Sequence, residues 1–510
     1  MSAPQVKLDF SKYGSSVKPS SFSGGLFINN EFVPSKSGKT FDVVNPSDAS
    51  VIAKVSEADA ADVDVAVAAA QKAFDTVWGE RCDPATRSKY MLALADAIDA
   101  NADELAAIET IDNGKAFAVA KAVDVAGAAQ CIRYYGGWAD KIGGRTINID
   151  SSKMVYTRHE PIGVVGQIIP WNFPILMLAW KWGPALATGN TIVMKTAEQT
   201  PLSALKVCEL ASKIFPPGVI NVLNGFGAVA GAAIASHMKI EKVAFTGSTL
   251  VGRAIMKAAA QSNLKKITLE LGGKSPNVIF NDADIQQAID WAAFGFFDQI
   301  AFNMGQCCCA GSRVYVEEGI YDKFIEQFKA KFESIAVGNP FESKTFQGPQ
   351  VSQVQYDRIM AYMKDGKDTG AKILTGGDRH GDKGYFIQPT IFTDASPDSK
   401  IVKEEIFGPV VVVTKFKDEA DLLKVANDSV YGLAAAVFTR DISRAHRVAH
   451  ELKAGTVWVN CYNVLHHAVP FGGFKQSGIG RELGSEALHN YENIKTVNIN
   501  LQGDAPPLSM

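Results

Sequence analysis

Five short runs rich in β-branched and apolar residues, VVGQIIP, TIVMKTA, VINVLNG, KVAFTGS and KITLELG, recur about every 25 residues between positions 164 and 272, with helix-like stretches between them. Alternation of that kind specifies βαβ units, and hence a parallel sheet covered by helices on both faces. Ligands of such sheets sit beyond the carboxyl ends of the strands. The residues to interrogate are therefore those that close each run: Trp171 and Asn172, Lys195 to Glu198, Gly225 to Gly231, Thr246, Gly247 and Ser248, and Glu270.

At 510 residues the chain exceeds what one core supports, and two or three domains are expected. Upstream of the alternating region, Val63, Val67, Ala70, Phe74 and Val77 fall at helical spacing between Glu57 and Trp78, and a second amphipathic run covers Tyr90 to Ile111. After about residue 272 the pattern restarts with SRVYVEE, a helix from Tyr321 to Ile335, then PVVVVTKF, AAAVFT and GTVWVN, which predicts a second α/β unit. Two strand-like pieces stay outside both: RTINIDSSKMVYTRHEP at 145 to 161, alternating about a Ser-Ser turn, and NIKTVNINL near the C-terminus. Exposed strands invite pairing with another chain, so these pieces predict an oligomer.

A formal net charge of −3, with 47% hydrophobic and 21% charged residues, indicates neither nucleic acid nor an anionic membrane as partner. No apolar run is long enough to span a bilayer; ILMLAWKWGPALA is broken by Lys181. The first twenty residues lack a signal-peptide core and no arginine precedes Arg81, which leads to a cytoplasmic expectation.

Three of the seven cysteines are adjacent, in GQCCCAGSR at 305 to 313. An odd count clustered at one place in a large chain is no disulfide framework. Neighbouring side chains converge poorly on one tetrahedral ion, so zinc is not expected there either. In HRVAH, His446 and His450 share a helical face, but Arg447 stands where a metalloprotease needs glutamate, and no metal is expected. GGKS lacks the first glycine of a phosphate loop, that position being Thr268. Cys82, Cys131, Cys208 and Cys461 read as buried filler. Glu270, closing its strand in TLELGGKSPN, is a candidate general base, although without further context a helix-capping or salt-bridged acid is the favoured reading. GFGAVA at 225 to 230 is a weak dinucleotide signal. FTGSTLVG is stronger, because a helix starting after Ser248 aims free N–H groups and its positive end at a pyrophosphate; a plain N-cap serine is the other reading.

WNFP, FTGSTLVG, LELGGKSPN, GQCCCAGSR, EEIFGPV and PFGGFKQSGIGREL together, in this order and spacing across residues 25 to 500, resemble the NAD(P)-dependent aldehyde dehydrogenase superfamily, in particular its acetaldehyde or retinal-type tetrameric branch with fungal members. The resemblance implies an α/β fold of two doubly wound parallel-sheet domains, an NAD-binding domain (1–143 and 162–271) and a catalytic domain (272–474), plus a small β oligomerisation extension (144–161 and 488–502). It implies oxidation of an aldehyde to a carboxylic acid through a cysteine hemithioacetal and a thioester. The residues alone do not choose among the three cysteines; the resemblance assigns the nucleophile to Cys308, with Cys307 and Cys309 as packing neighbours. It gives Asn172 and the Cys308 N–H as oxyanion donors, Glu270 as the base for water, and Lys181 and Glu482 as a proton relay.

For the cofactor the resemblance implies Ile168, Trp171, Lys195, Glu198, Gly227, Gly247, Ser248, Gly252, Glu405 and Phe407. A carboxylate at Glu198 accepts from ribose hydroxyls and repels a 2′-phosphate, which favours NAD, with NADP the less favoured cofactor. An apolar tunnel of Phe173, Met177, Trp180, Leu465 and Phe471 is implied for a small alkyl or aryl aldehyde. The expected assembly is a homotetramer, a dimer of dimers. One departure stands out: the segment before the cysteines is longer than the family's usual join by a few residues around Asp298 to Ala301. Two rival readings use the same residues: a cysteine-dependent esterase or hydrolase without nicotinamide, and a catalytically impaired structural relative. The presence of Glu270 counts against a variant that passes its acyl group to coenzyme A.

Overall fold

The computed structural model describes residues 2–293 and 302–503. The extra residues around Asp298 to Ala301 lie outside the described residues.

The five runs of the alternating region all become strands, and they lie side by side in parallel. The order across the first sheet is Gly478–Ile479, Lys266–Glu270, Lys242–Thr246, Val164–Ile168, Thr191–Lys195, Ile220–Leu223, Leu26–Ile28 and Glu31–Val33, with the outer pieces antiparallel. Four of the five central strands are buried along their whole length, as β-branched runs covered on both faces must be. From Val164–Ile168 the chain winds first toward Thr191–Lys195 and later returns on the other side with Lys242–Thr246. That reversal opens a crevice beyond Ile168 and Thr246.

The second sheet runs Lys372–Thr375, Thr390–Thr393, Val410–Phe416, Arg313–Glu317, Pro276–Ile279, Ala434–Phe438 and Thr456–Val459. One of its inner strands, Pro276–Ile279, was not among the predicted runs. It is four residues long and opens on a proline, so its sequence carries little period. The run from Tyr90 to Ile111 is not one helix but parts of two, Pro84–Ala100 and Ala102–Asn113. Asn101 leaves helical geometry at φ −111° and its amide turns back to the Ala97 carbonyl at 2.7 Å. In the first helix, Ala60–Thr76, the buried stripe is Val63, Ala66, Val67, Ala70 and Ala73; Val77 falls past the end and is exposed.

The two outlying pieces pair with each other. Lys153–Pro161 and Glu492–Asn500 form a nine-residue antiparallel ladder, and Thr146–Ile147 adds a third strand beside Lys153–Pro161. No helix among the described residues is long and apolar enough to cross a membrane.

Candidate active site

The turn WNFP follows the strand Val164–Ile168 and launches the helix Pro174–Ala187, with proline at the first position, where its missing N–H is no loss. This helix is apolar all round and nearly all buried. Residues 177, 180 and 181 therefore fall on adjacent turns: Met177 and Trp180 face the cavity described below, while Lys181 points behind it.

Asn172 is held from several sides. Its backbone carbonyl accepts from Lys115 Nζ at 3.0 Å, Asn303 Nδ2 at 2.8 Å and Asn113 Nδ2 at 3.3 Å. The Trp171 carbonyl takes Asn113 Nδ2 at 2.8 Å. The Asn172 side-chain amide donates to the Gln306 carbonyl at 3.0 Å, which orients its nitrogen toward the loop carrying Cys308. Behind these donors lies a buried charged cluster: Lys115 pairs with Asp124 and stands 3.8 Å from Glu109, which burial raises to about 7. Asn113, Lys115, Asp124 and Asn303 were not foreseen. The triplet Asn113-Gly114-Lys115 reads locally as a helix end, with Gly114 at φ 92°, and nothing in it announces a partner 57 residues away.

The cysteine loop approaches through two glycines. At Gly305, φ is 72° and a Cβ would meet the Gly408 carbonyl oxygen at 2.0 Å, so only glycine lets this loop lie against the EEIFGPV turn. At Gly273 a Cβ would stand 2.4 Å from the Cys308 carbonyl oxygen. Of the three thiols, Cys307 and Cys309 are buried, and Cys308 alone is partly exposed. Asn463 clamps the flanking pair, accepting from Cys309 Sγ at 3.0 Å and donating to Cys307 Sγ at 3.7 Å, and Tyr462 donates to the Cys309 carbonyl at 2.6 Å. All seven cysteines are free.

One cavity of about 970 Å³ joins the predicted parts. Its wall includes Asn172, Cys308 and Glu270; Ile168, Trp171, Lys195, Glu198, Gly227, Gly247, Ser248, Glu405 and Phe407; and Phe173, Met177, Trp180, Leu465 and Phe471. Three predicted residues are not in the wall. Gly252 sits inside the helix Thr249–Gln261, where a Cβ would meet Leu271 at 2.8 Å; its smallness serves helix-to-sheet packing. Lys181 and Glu482 form a buried ion pair behind the wall. The wall also includes residues the sequence did not single out, among them Trp291, Gln355, Arg358, His466 and His467.

Burial pushes the Glu270 carboxyl up to about 8, against the opposing pull of the Cys308 thiol and the Lys181 ammonium. Oε1 of Glu270 is buried with no hydrogen-bond partner, poised to accept one. The Cys308 thiol is itself held well above its usual range by the neighbouring Cys307 and Cys309, by burial and by the Glu270 carboxylate. Both shifts favour the neutral forms of the two groups.

At the other end of the cavity Lys195 Nζ donates to the Thr196 and Gly225 carbonyls, at 2.6 and 2.9 Å, and to Glu198 Oε2 at 3.3 Å. Burial lowers the Lys195 ammonium below its usual range. Ser248 caps the next helix by accepting from Val251 N at 3.4 Å. Gly227 has open space where a Cβ would be, so a polar ligand can lie close to the backbone there. Nearer the thiols, Glu405 Oε1 accepts from the Gly273 N–H at 2.9 Å, and burial brings its carboxyl up to about 7. Phe407, at φ 60°, meets Trp171 edge-on with ring centroids 5.2 Å apart. A long ligand with sugar hydroxyls at one end and an aromatic ring at the other suits this succession of groups.

A family model described as "Aldehyde dehydrogenase family" matches residues 32–497. An aldehyde dehydrogenase of Emericella nidulans is 63% identical over 482 residues, 94% of this chain and 96% of the relative. The human "Aldehyde dehydrogenase, mitochondrial" is 55% identical, over 94% of this chain and 93% of its own. Among solved structures, the NAD+ complex of an aldehyde dehydrogenase from Bacillus cereus superposes with a TM-score of 0.92 at 50% identity, covering 94% of this chain and 96% of that one.

Proposed function

The chain belongs to the aldehyde dehydrogenase family and oxidises aldehydes with a nicotinamide cofactor, and from that premise we propose how its residues divide the work. The Cys308 thiol passes its proton to Glu270, which releases it to solvent, as the sulfur adds to the aldehyde carbon, and the oxygen that becomes an alkoxide is received by the Asn172 amide and the Cys308 N–H. Water competing for this carbon is excluded by the apolar wall of Phe173, Met177, Trp180, Leu465 and Phe471, which also selects an alkyl or aryl aldehyde. When bound, the nicotinamide cofactor supplies the acceptor for the hydride that leaves the tetrahedral carbon. What remains on Cys308 is a thioester. Glu270 takes a proton from water, the hydroxide adds, the carbon–sulfur bond breaks, and the carboxylic acid departs as sulfur regains its proton. Lys181 and Glu482, a buried ion pair behind the wall, act on the Glu270 carboxyl through their charges, the ammonium lowering it and the carboxylate raising it.

Lys195 and Glu198 hold the adenine ribose in this reading, with Glu198 disfavouring a 2′-phosphate, so NAD is the working cofactor. Trp171, Gly227, Gly247 and Ser248 accommodate the pyrophosphate end, and Glu405 and Phe407 grip the nicotinamide ribose. The reading extends to a homotetramer built through the exposed strands and to the cytosol, a reducing compartment that keeps seven thiols free. Sedimentation and cell fractionation check these two.

The single observation that carries the reading is one continuous cavity with Cys308, Glu270 and Asn172 at one end and Lys195 and Glu198 at the other. The test is aldehyde-dependent formation of reduced nicotinamide by the wild type and by Cys308→Ala. Loss of all turnover in the variant is expected; a variant that kept it would end the mechanism. An esterase acting without nicotinamide would show thiol-dependent ester cleavage and no aldehyde oxidation. Glu198→Ser is expected to narrow the preference for NAD over NADP by about tenfold or more.

A further inference from the structure

Where the helical turn Leu488–Tyr491 passes into the strand Glu492–Asn500, three side chains that the oxidation does not use converge. His159 stands in the strand Lys153–Pro161 opposite Ile494, which puts Glu492, two residues along, diagonally beside it on the same face. His489 reaches the same carboxylate from the turn. Glu492 Oε1 lies 2.8 Å from His159 Nδ1 and 2.7 Å from His489 Nδ1. One ligating atom from each residue lies within 4.8 Å of those of the other two.

The carboxylate is more deeply placed than a hydrogen-bonded surface cluster requires. The Glu492 side chain is 3% exposed and its second oxygen, Oε2, is buried with no hydrogen-bond partner. A buried carboxylate oxygen left without a partner is costly, and here it belongs to the side chain on which the two imidazoles converge. The Glu492 backbone is anchored separately, its carbonyl accepting from Lys266 Nζ at 3.0 Å. His489, 67% exposed, leaves the point open to solvent on one side. None of the three residues lines the large cavity.

We propose that His159, His489 and Glu492 form a binding site for a divalent transition-metal ion of the zinc type, water completing the coordination. Two imidazoles and a carboxylate suit Zn²⁺, Ni²⁺ or Cu²⁺ and not the all-oxygen preference of Ca²⁺ or Mg²⁺. Bonds of about 2.0–2.2 Å put neighbouring ligand atoms of a tetrahedron roughly 3.3 Å apart. The nitrogen-to-oxygen distances of 2.8 and 2.7 Å therefore need to open only slightly, and the exposed His489 ring is free to do so. An ion there ties the outlying strand pair to the turn that feeds it. Its role is to fix the root of the extension.

The test titrates the full-length protein with Co²⁺, a visible stand-in for Zn²⁺. One equivalent per chain is expected, with the ligand-field absorption of a nitrogen and oxygen site, displaced by Zn²⁺, and a rise in thermal midpoint. His489→Ala, an exposed change outside the catalytic machinery, is expected to keep aldehyde turnover while weakening Co²⁺ binding by about tenfold or more and cancelling the thermal shift. Equal binding by wild type and His489→Ala would overturn the proposal. So would a thiolate charge-transfer band in place of the nitrogen and oxygen spectrum, which would put the ion on the cysteines, or no binding at micromolar Co²⁺.

Discussion

Glu270 meets two opposing demands: burial raises its carboxyl to about 8, yet it must be ionised to take a proton from water. The sign follows directly. Below that value most resting molecules hold the proton, so thioester hydrolysis is expected to rise roughly tenfold per pH unit and to level off above about 8. Formation of the thioester answers to Cys308 instead, and rapid mixing separates the two, because the burst of reduced nicotinamide reports acylation and the steady rate reports hydrolysis. Glu270→Gln is expected to give one burst equivalent per chain, no steady turnover, and no rise with pH. A steady rate in that variant equal to the wild type's would remove Glu270 from the hydrolytic step. Asn172→Ala removes a donor aimed at the developing oxyanion while leaving the apolar wall intact. It is expected to lower kcat by about 10²–10³ with little change in KM. A drop of only a few fold would leave the Cys308 N–H as the sole donor of consequence.

Among elements, the loop that delivers Cys308 is fixed by conformation as much as by contacts. Asn303, Met304 and Gly305 adopt successive positive φ angles of 46°, 58° and 72°, a run that extended or helical sequence patterns do not signal. Gly305→Ala would drive a methyl into the Gly408 carbonyl and is expected to cost about 2 kcal/mol or more in urea unfolding, with activity falling further because the cysteine loop must shift. Lys115→Met tests the opposite flank of the site. It leaves Asp124 and Glu109 buried without their cation, a loss of about 3–5 kcal/mol, and frees the Asn172 carbonyl from one of its three donors. These elements also show what is legible in a sequence. The five parallel strands could be read because burial on both faces demands continuous β-branched runs, and the chemistry at their ends follows from the sheet's geometry. Gly247 and Ser248, singled out on that ground, line the cavity. Pro276–Ile279 opens on a proline directly after GGKS, which reads as a loop, and the Tyr90 to Ile111 run concealed a break at Asn101 because its apolar spacing continues across it. Lys115 and Asn303 acquire their place only when distant segments meet at Asn172, so no local pattern marks them. Gly252, which the resemblance assigns to the cofactor, lies outside the wall with its bare Cα against Leu271.

At the scale of the whole molecule, the cavity and the outlying sheet make separate demands. Among the described residues, one chain lines the cavity from Glu198 to Cys308. Among the described residues Glu492–Asn500 is an edge strand of the outlying sheet, paired on one side with Lys153–Pro161 and open on the other. Its exposed side chains include Ile494 at 67% and Ile499 at 40%, the latter paired with Met154, itself 46% exposed. An open edge with apolar neighbours is what a second copy would cover, and proteins that keep such an edge bare risk indiscriminate pairing. Ile494→Glu puts a charge on this surface without touching any wall residue of the cavity. Association through the strands then predicts a smaller particle by sedimentation equilibrium, with aldehyde oxidation per chain largely kept because each chain carries its own Cys308, Glu270 and Asn172. If the particle mass stayed unchanged, assembly would have to run through another face. If instead the mass fell and turnover vanished with it, the extension would be supporting the cavity across the subunit boundary, and the independence of the two regions would be wrong.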